Sequence, residues 1–353
     1  MTPRTTPPFR ADHVGSFLRP ADVKAARMNE ALSPEERSAV EDRHIQRLLD
    51  RQRDLGFKIF TDGELRRKGF MSDFHESVEG LDTAREIDRT WKGGENRSGN
   101  PSGVGLHGVV QGKVRQRKPF TGLELPFLKQ HSPGDIKMTL PTANQFPAIA
   151  FKKGITDQFY ANYSELLWDV VPIIRSEITA LSNEGVRYIQ IDAPRYSYFM
   201  DPKWRDYLHN EYELDPVAAL DEAIKADNAC LEGANRDGVI LSIHLCRGNN
   251  RSQWYAQGAY DEIAEKVFSE LNVDRFLLEY DDERSGGFEP LRFVPKGKQV
   301  VLGLISTKVP QMESQDDLRR RIDEAAKYMP LDDLALSPQC GFASTAEGNL
   351  LTE

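Results

Sequence analysis

Only three cysteines occur in 353 residues, Cys230, Cys246 and Cys340. An odd number spread so thinly does not make a disulfide framework and suits reduced thiols or metal ligands. Long apolar runs are missing too. No stretch approaches the ~20 residues that cross a bilayer, which excludes membrane insertion. The opening MTPRTTPPFR has Pro and Thr where a secretory signal would have its apolar segment, so a cytoplasmic protein is expected. Basic excess is lacking as well: the net charge of -9 weighs against nucleic acid, since phosphate binding needs a concentrated basic surface. The one basic run, KVRQRK at 113–118, reads as a solvated face. No Gly-x-Gly-x-x-Gly follows the first strand, which lowers a dinucleotide-binding reading.

What is present is a folded globular composition, 39% hydrophobic and 29% charged with the charges mixed rather than blocked. Eight short β-rich runs are expected, at 13–16 (HVGS), 58–61, 136–140, 186–191, 239–245, 275–280, 300–305 and 334–337. Between them lie segments with the apolar spacing of helices packed on a sheet, such as 163–183, 216–235, 260–271 and 314–327. Helix then strand, repeated, implies parallel strands with crossover helices. Eight such units favour an α/β fold of the (β/α)8 barrel type over an open doubly wound sheet. Residues 1–8 read as a loose tail and 9–353 as one barrel domain. The polar, Gly-rich stretch at about 82–119, with a hairpin-like centre GVVQGKV, reads as an insertion after the second β/α unit, over one end of the barrel. About a dozen residues follow the last strand, too few for a full closing helix.

Barrel enzymes assemble their chemistry at the C-terminal ends of strands. The residues there are Ser16, Glu64 in TDGE, Asp192 in IQIDAP, His244 and Cys246 in SIHLCRGNN, Glu279 in LLEYDD and Cys340 in SPQCG. Alternate residues of a strand share a face, so His244 and Cys246 point at one centre. Glu279 and Cys340 end later strands, and the four side chains can converge in the barrel mouth. Two thiols, an imidazole and a carboxylate suit tetrahedral zinc better than magnesium or calcium, which prefer oxygen alone. Taken singly each has a bland reading, a buried Cys as a small hydrophobe and a His as a satisfied core residue. Cys230, inside the helical pattern DEAIKADNACLEGAN, is read as structural. Zinc in so electron-rich a shell is a poor carbonyl activator and favours soft sulfur chemistry, holding a substrate thiol as a nucleophilic thiolate.

At HVGSF, FTDGELRR, YIQIDAP, IHLCRGN, FLLEYD, VVLGLISTKVP and LSPQCGF the sequence resembles the catalytic barrel of cobalamin-independent methionine synthase and its single-barrel relatives, which include epoxyalkane:coenzyme M transferase. The resemblance implies a (β/α)8 fold and zinc bound by His244, Cys246, Glu279 and Cys340. It also implies a homocysteine pocket, with the Ser16 backbone on the carboxylate and Glu64 and Asp192 on the ammonium. The alternative for the two carboxylates is helix capping or pairing with Arg66 and Arg195, and for Ser16 a helix cap.

Three departures stand out. The full-length family enzyme has two barrels, and this chain has length for one. Where the family carries a catalytic histidine shortly before Val309-Pro310, the sequence reads LISTKVP; after Leu140-Pro141-Thr142 it lacks a tryptophan that stacks on folate. His13 is then a candidate proton donor, and Arg247, Lys308 and Arg195 are candidates for holding a substrate carboxylate or sulfonate. The expected function is zinc-dependent S-alkylation of a homocysteine-like thiol, as in methionine biosynthesis, with methyl-folate, methyl-corrinoid or an epoxide as donor. Epoxide opening by a sulfonated thiol, and a zinc-holding module that docks a methyl carrier, are the alternatives. A homo-oligomer is compatible with either.

Overall fold

The computed structural model describes residues 9–84, 92 and 108–352. Its strands are β1 (Ile59–Phe60), β2 (Val78–Asp82), β3 (Val109–Gln116), β4 (Asp135–Pro141), β5 (Tyr188–Asp192), β6 (Ile240–Leu245), β7 (Arg275–Glu279), β8 (Gln299–Ile305) and β9 (Leu334–Pro338). Seven of them form one parallel sheet in the order β1-β4-β5-β6-β7-β8-β9, so each strand pairs with the next along the chain and the sheet curls. β2 and β3 stand apart as an antiparallel ribbon, with Val78 opposite Gln116 and Asp82 opposite Val109.

The expected strand at 13–16 is instead extended chain that touches both sheet edges at single points. Leu336 of β9 donates to Arg10 O (2.8 Å) and accepts from Asp12 N (3.0 Å), while Phe17 N donates to Gly63 O beyond β1 (2.9 Å). Gly15 lets this segment pass close to Glu64, since a Cβ there would sit 2.3 Å from Glu64 Oε1.

Helices at Tyr163–Asn183, Pro216–Leu231 and Gln315–Ala325 follow the expected pattern, and each starts at a side-chain cap: Asn162, Asp215 and Ser314 accept from backbone N–H groups of the first turn. The second stops short of 235, because Gly233 takes a left-handed φ of 86°. The expected helix at 260–271 divides into a 3-10 turn, Tyr260–Glu262, and a helix at Ala264–Glu270. The stripe Leu166, Val170, Ile174 and Ile178 is fully buried against the sheet. Each such side chain contributes about 1.5–3 kcal/mol by leaving water. Cys230 is buried in that packing, its thiol 3.9 Å from Val171 O.

The expected insertion at 82–119 leaves through β3, and residues 85–91 and 93–107 within it lie outside the described residues. GVVQGKV forms one strand, whose partner β2 precedes the inserted stretch. The basic run is ion-paired on an exposed face, Lys113 with Glu165 and Arg117 with Glu79, both at 2.7 Å. Among the described residues no helix is long and apolar enough to cross a membrane. Among the described residues no helix follows β9; residues 339–352 cross the strand ends instead, where Asn349 Nδ2 donates to Thr307 O (2.6 Å) and Asn249 Oδ1 (2.8 Å).

Candidate metal centre and its cavity

Because the seven strands run parallel, their C-terminal ends share one rim. Asp192 pairs with His244 and Leu245 with Leu278, which brings the ends of β5, β6 and β7 level. Side-chain alternation along β6 turns Ser242, His244 and Cys246 to one face. Cys340 arrives from the turn after β9. One nitrogen of His244 and the sulfurs of Cys246 and Cys340 all lie within 4.8 Å of one another, and all three residues are buried.

The donors fit a divalent metal. His244 Nδ1 lies 3.3 Å from Leu277 O, which as an N–H···O bond fixes the ring and leaves the Nε2 lone pair toward the thiols. Nε2 itself is buried, with the Cys340 thiol as its neighbour. A hydrogen bond from Cys246 holds the Cys340 thiol well below its ordinary range against burial, with His244 helping, and the same bond together with burial pushes Cys246 well above it. Burial disfavours the charged form of His244, but Cys340, Asp192 and Glu279 outweigh it and raise its pKa. Such a buried imidazole and thiolate pair is the chemistry of a soft metal site.

Glu279 is fully buried nearby, yet its carboxylate is not part of the 4.8 Å group. It accepts from Arg247 N (2.5 Å), Lys308 Nζ (3.2 Å) and Arg284 Nη2 (3.4 Å). Burial opposes its ionisation; Lys308, Arg247 and Arg284 win and lower its pKa. The structure thus assigns Arg247 and Lys308 to Glu279 rather than to the cavity. Arg247 is further tied to Gly258 O and lies over the Tyr260 ring, 4.5 Å from its centroid.

The three donors open on a cavity of about 900 Å³, whose wall includes Ser16, Glu64, Asp192, Arg195 and Tyr255. Glu64 sits in the left-handed region, φ 55°, held there by Asp62 Oδ1, which accepts from Glu64 N at 2.9 Å. Its Oε1 accepts from Thr139 Oγ1 (2.9 Å), while its Oε2 is buried without a partner. Arg67, which pairs with Glu124, bonds Thr139 from behind. Burial pushes the Asp192 pKa up to about 7, with His244 opposing and Glu64 adding to the rise. Ser16 Oγ accepts from Ala343 N (3.2 Å) and its carbonyl from Phe342 N, so it pins residues 342–343 rather than capping a helix.

His13 is not brought to the cavity. It lies beside the start of the strands, Nε2 3.2 Å from Ile59 O, with burial lowering its pKa to about 4. The histidine that does join His244 in the wall is His75, from a short helix leading into the inserted stretch, where periodicity carries no signal. Before Val309-Pro310, Ser306 Oγ donates to Asp281 Oδ2 (2.8 Å) and Thr307 N to Gln339 Oε1 (2.7 Å).

Residues 158–351 match the family model of the cobalamin-independent synthase catalytic domain. The chain belongs to this methionine synthase family. Over 98% of its length it is 38% identical to the uncharacterized protein YxjH of Bacillus subtilis, covering 90% of that protein. It is 25% identical to the methionine synthase of Saccharolobus solfataricus, over 93% of this chain and 86% of the relative. Among solved structures, a Listeria monocytogenes protein assigned as a vitamin-B12-independent methionine synthase superposes with a TM-score of 0.70 at 26% identity, over 98% of this chain and 95% of that one. The family is one of methyltransferases.

Proposed function

We propose that the protein is a zinc-dependent thiol S-alkyltransferase that moves a methyl group onto homocysteine or a similar small thiol, on a single (β/α)8 barrel in which residues 9–17 take the eighth strand position. The observation that carries this reading is the convergence of a buried His244 nitrogen with the sulfurs of Cys246 and Cys340, all within 4.8 Å of one another, beside a cavity lined with carboxylates. His244, Cys246 and Cys340 would hold the ion. Glu279 stands next to them as the fourth ligand named from the family resemblance, its charge balanced by Lys308, Arg247 and Arg284. Zinc bound there would keep a substrate sulfur as a reactive thiolate near neutral pH.

The protein's own groups then orient the substrate. The free Oε2 of Glu64 offers an acceptor for an ammonium, and Asp192 offers a second carboxylate on the next wall. With its pKa near 7, Asp192 takes up or gives a proton at its carboxylate as a cationic amine arrives or leaves.

The purified protein should carry about one zinc per chain, and Cys246→Ser and Cys340→Ser should each remove zinc and thiol alkylation together while the far-UV spectrum stays unchanged. Metal analysis beside a free-thiol assay with homocysteine and methyl-folate, methyl-corrinoid or epoxide donors checks this. A metal-free variant that still alkylates a thiol overturns the proposal.

A further inference from the structure

Two of the three candidate donors are set by a strand. His244 lies within β6 and Cys246 one residue past its end, so the sheet fixes their spacing. Cys340 has no such support. β9 ends at Pro338, and the last bond of its ladder runs from Gln339 N to Ile305 O (2.8 Å), leaving the thiol on a turn. The hydrogen bonds around that turn lead to Asn249, Thr307 and Asn349, three buried neutral residues from three separate segments of the chain.

Asn249 Nδ2 donates to Gly341 O (2.5 Å) and to Ser344 Oγ (3.2 Å), and that hydroxyl lies 3.6 Å from Cys340 Sγ. Thr307 Oγ1 donates to the same Gly341 carbonyl (3.2 Å), while Thr307 N donates to Gln339 Oε1 (2.7 Å). The residues on both sides of Cys340 are therefore held. Asn349 ties the other two together: its Nδ2 donates to Asn249 Oδ1 (2.8 Å) and to Thr307 O (2.6 Å), and its backbone N to Phe342 O (3.0 Å). Its Oδ1 accepts from Ser252 N (2.9 Å), so both ends of each amide are engaged and neither can flip without losing bonds. On the opposite side a Cβ on Gly341 would lie 2.1 Å from Ser16 Oγ, which leaves the turn no room to retreat.

The loop that meets Asn349 is itself strained. Arg251 and Ser252 take left-handed φ values of 47° and 65°, which non-glycine residues keep only where their surroundings over-determine them. The strain brings Ser252 N to Asn349 Oδ1 and lets Ser252 Oγ accept from Leu350 N (3.1 Å). A network that merely fastened residues 339–352 to the strand ends would not need its bonds to converge on the few residues around one thiol. A thiolate already held beside its partners loses less freedom when an ion binds, and groups that orient a ligand in this way tune the affinity of the site.

We propose that Asn249, Thr307 and Asn349 form a clamp that positions Cys340, making metal affinity depend on three residues that touch no ion. This rests on the metal reading of the site. They are positioning residues, with no part in binding the thiol or its donor.

The test is a cobalt titration of the metal-free protein, read as affinity and as sulfur-to-cobalt absorption per bound ion. Asn349→Ala should weaken cobalt binding at least about tenfold and lower the absorption toward that of Cys340→Ser. Thr307→Val keeps the side-chain shape, covers the case in which the first variant does not fold, and should act in the same direction; Thr307→Ser restores the hydroxyl and should restore affinity to within about threefold of the parent. Asn228→Ala is the matched control. Asn228 bridges two segments by the same kind of bonds, Nδ2 to Glu270 O (2.8 Å) and Oδ1 from Asn272 N (2.7 Å), on a helix that supplies no donor, so its loss should lower the urea midpoint and leave cobalt affinity within about twofold. Parent-like affinity and absorption in both Asn349→Ala and Thr307→Val overturn the clamp alone. So does an equal loss of affinity in Asn228→Ala. A parent protein that takes up no cobalt removes the metal reading, and the clamp falls with it.

Discussion

Asp227 sits on the helix Pro216–Leu231 with no exposure, its Oδ2 accepting from Tyr196 Oη at 3.0 Å and its Oδ1 unpartnered. Burial drives its pKa from 3.8 up to about 7, with the Tyr196 bond opposing. The folded state therefore holds the proton more tightly than the unfolded chain, so stability falls as pH rises from about 4 to about 7. Asp227→Asn removes this term. Relative to the parent the variant should gain on the order of 2–4 kcal/mol between pH 5 and pH 8. Urea midpoints at the two pH values check it; an unchanged difference would show that Asp227 stays ionised. The convergence of His244, Cys246 and Cys340 was legible at this same scale, because two-residue alternation on a strand commits His244 and Cys246 to one face and the strand-helix rhythm commits Cys340 to the same rim. The partners of Glu279 were not. Arg247 and Lys308 follow strand ends just as Arg195 does, and only three-dimensional packing decides that two of them turn to Glu279 and one to the cavity. His13 escaped for a related reason, since a residue near the first strand position can face either end of the sheet.

At the scale of elements, the turn after β1 shows how a short segment aims a functional group. Gly63 takes φ 70°, and a Cβ there would lie 2.5 Å from Leu48 Cδ2, on the neighbouring helix Pro34–Asp54. Gly63→Ala thus meets a backbone penalty and an overlap together and should cost about 1–3 kcal/mol. A lowered urea midpoint would be accompanied by weaker binding of an amino thiol, because the turn also sets Glu64 in its left-handed position. Loss of stability with unchanged amino-thiol affinity would separate Glu64 from the substrate. Elements of this fold were readable where caps and apolar stripes agree, as in Tyr163–Asn183, whose bounds match the 163–183 expected from spacing. They were unreadable where neighbours decide. Residues 13–16 have strand composition but make only point contacts with two edges, and GVVQGKV finds its partner in a strand before the insertion, a choice that local pattern does not encode.

At the scale of the whole molecule, one carboxylate joins the N-terminal segment to the sheet. Asp12 Oδ1 accepts from Lys137 Nζ on β4 (2.9 Å), and Oδ2 accepts from Tyr188 Oη on β5 (2.6 Å) and Arg275 Nη1 on β7 (2.9 Å), while Asp12 N reaches β9. The side chains of Asp12 and Lys137 are fully buried. Burial alone would raise the Asp12 pKa, but Lys137 and Arg275 hold it well below the usual 3.8. Asp12→Asn leaves two cations without a counter-charge inside the protein and should cost about 3–5 kcal/mol at pH 7. Because the folded pKa is depressed, the stabilisation is complete above the unfolded value of 3.8 and is lost as pH falls below it. The gap between parent and variant should therefore be level from pH 8 down to about pH 4 and narrow below that. Urea midpoints across this range read both the size and the shape. A small, pH-independent gap would mean that the N-terminal segment is held by its backbone contacts to β9 and the turn after β1, and that Asp12 merely fills space among the strands.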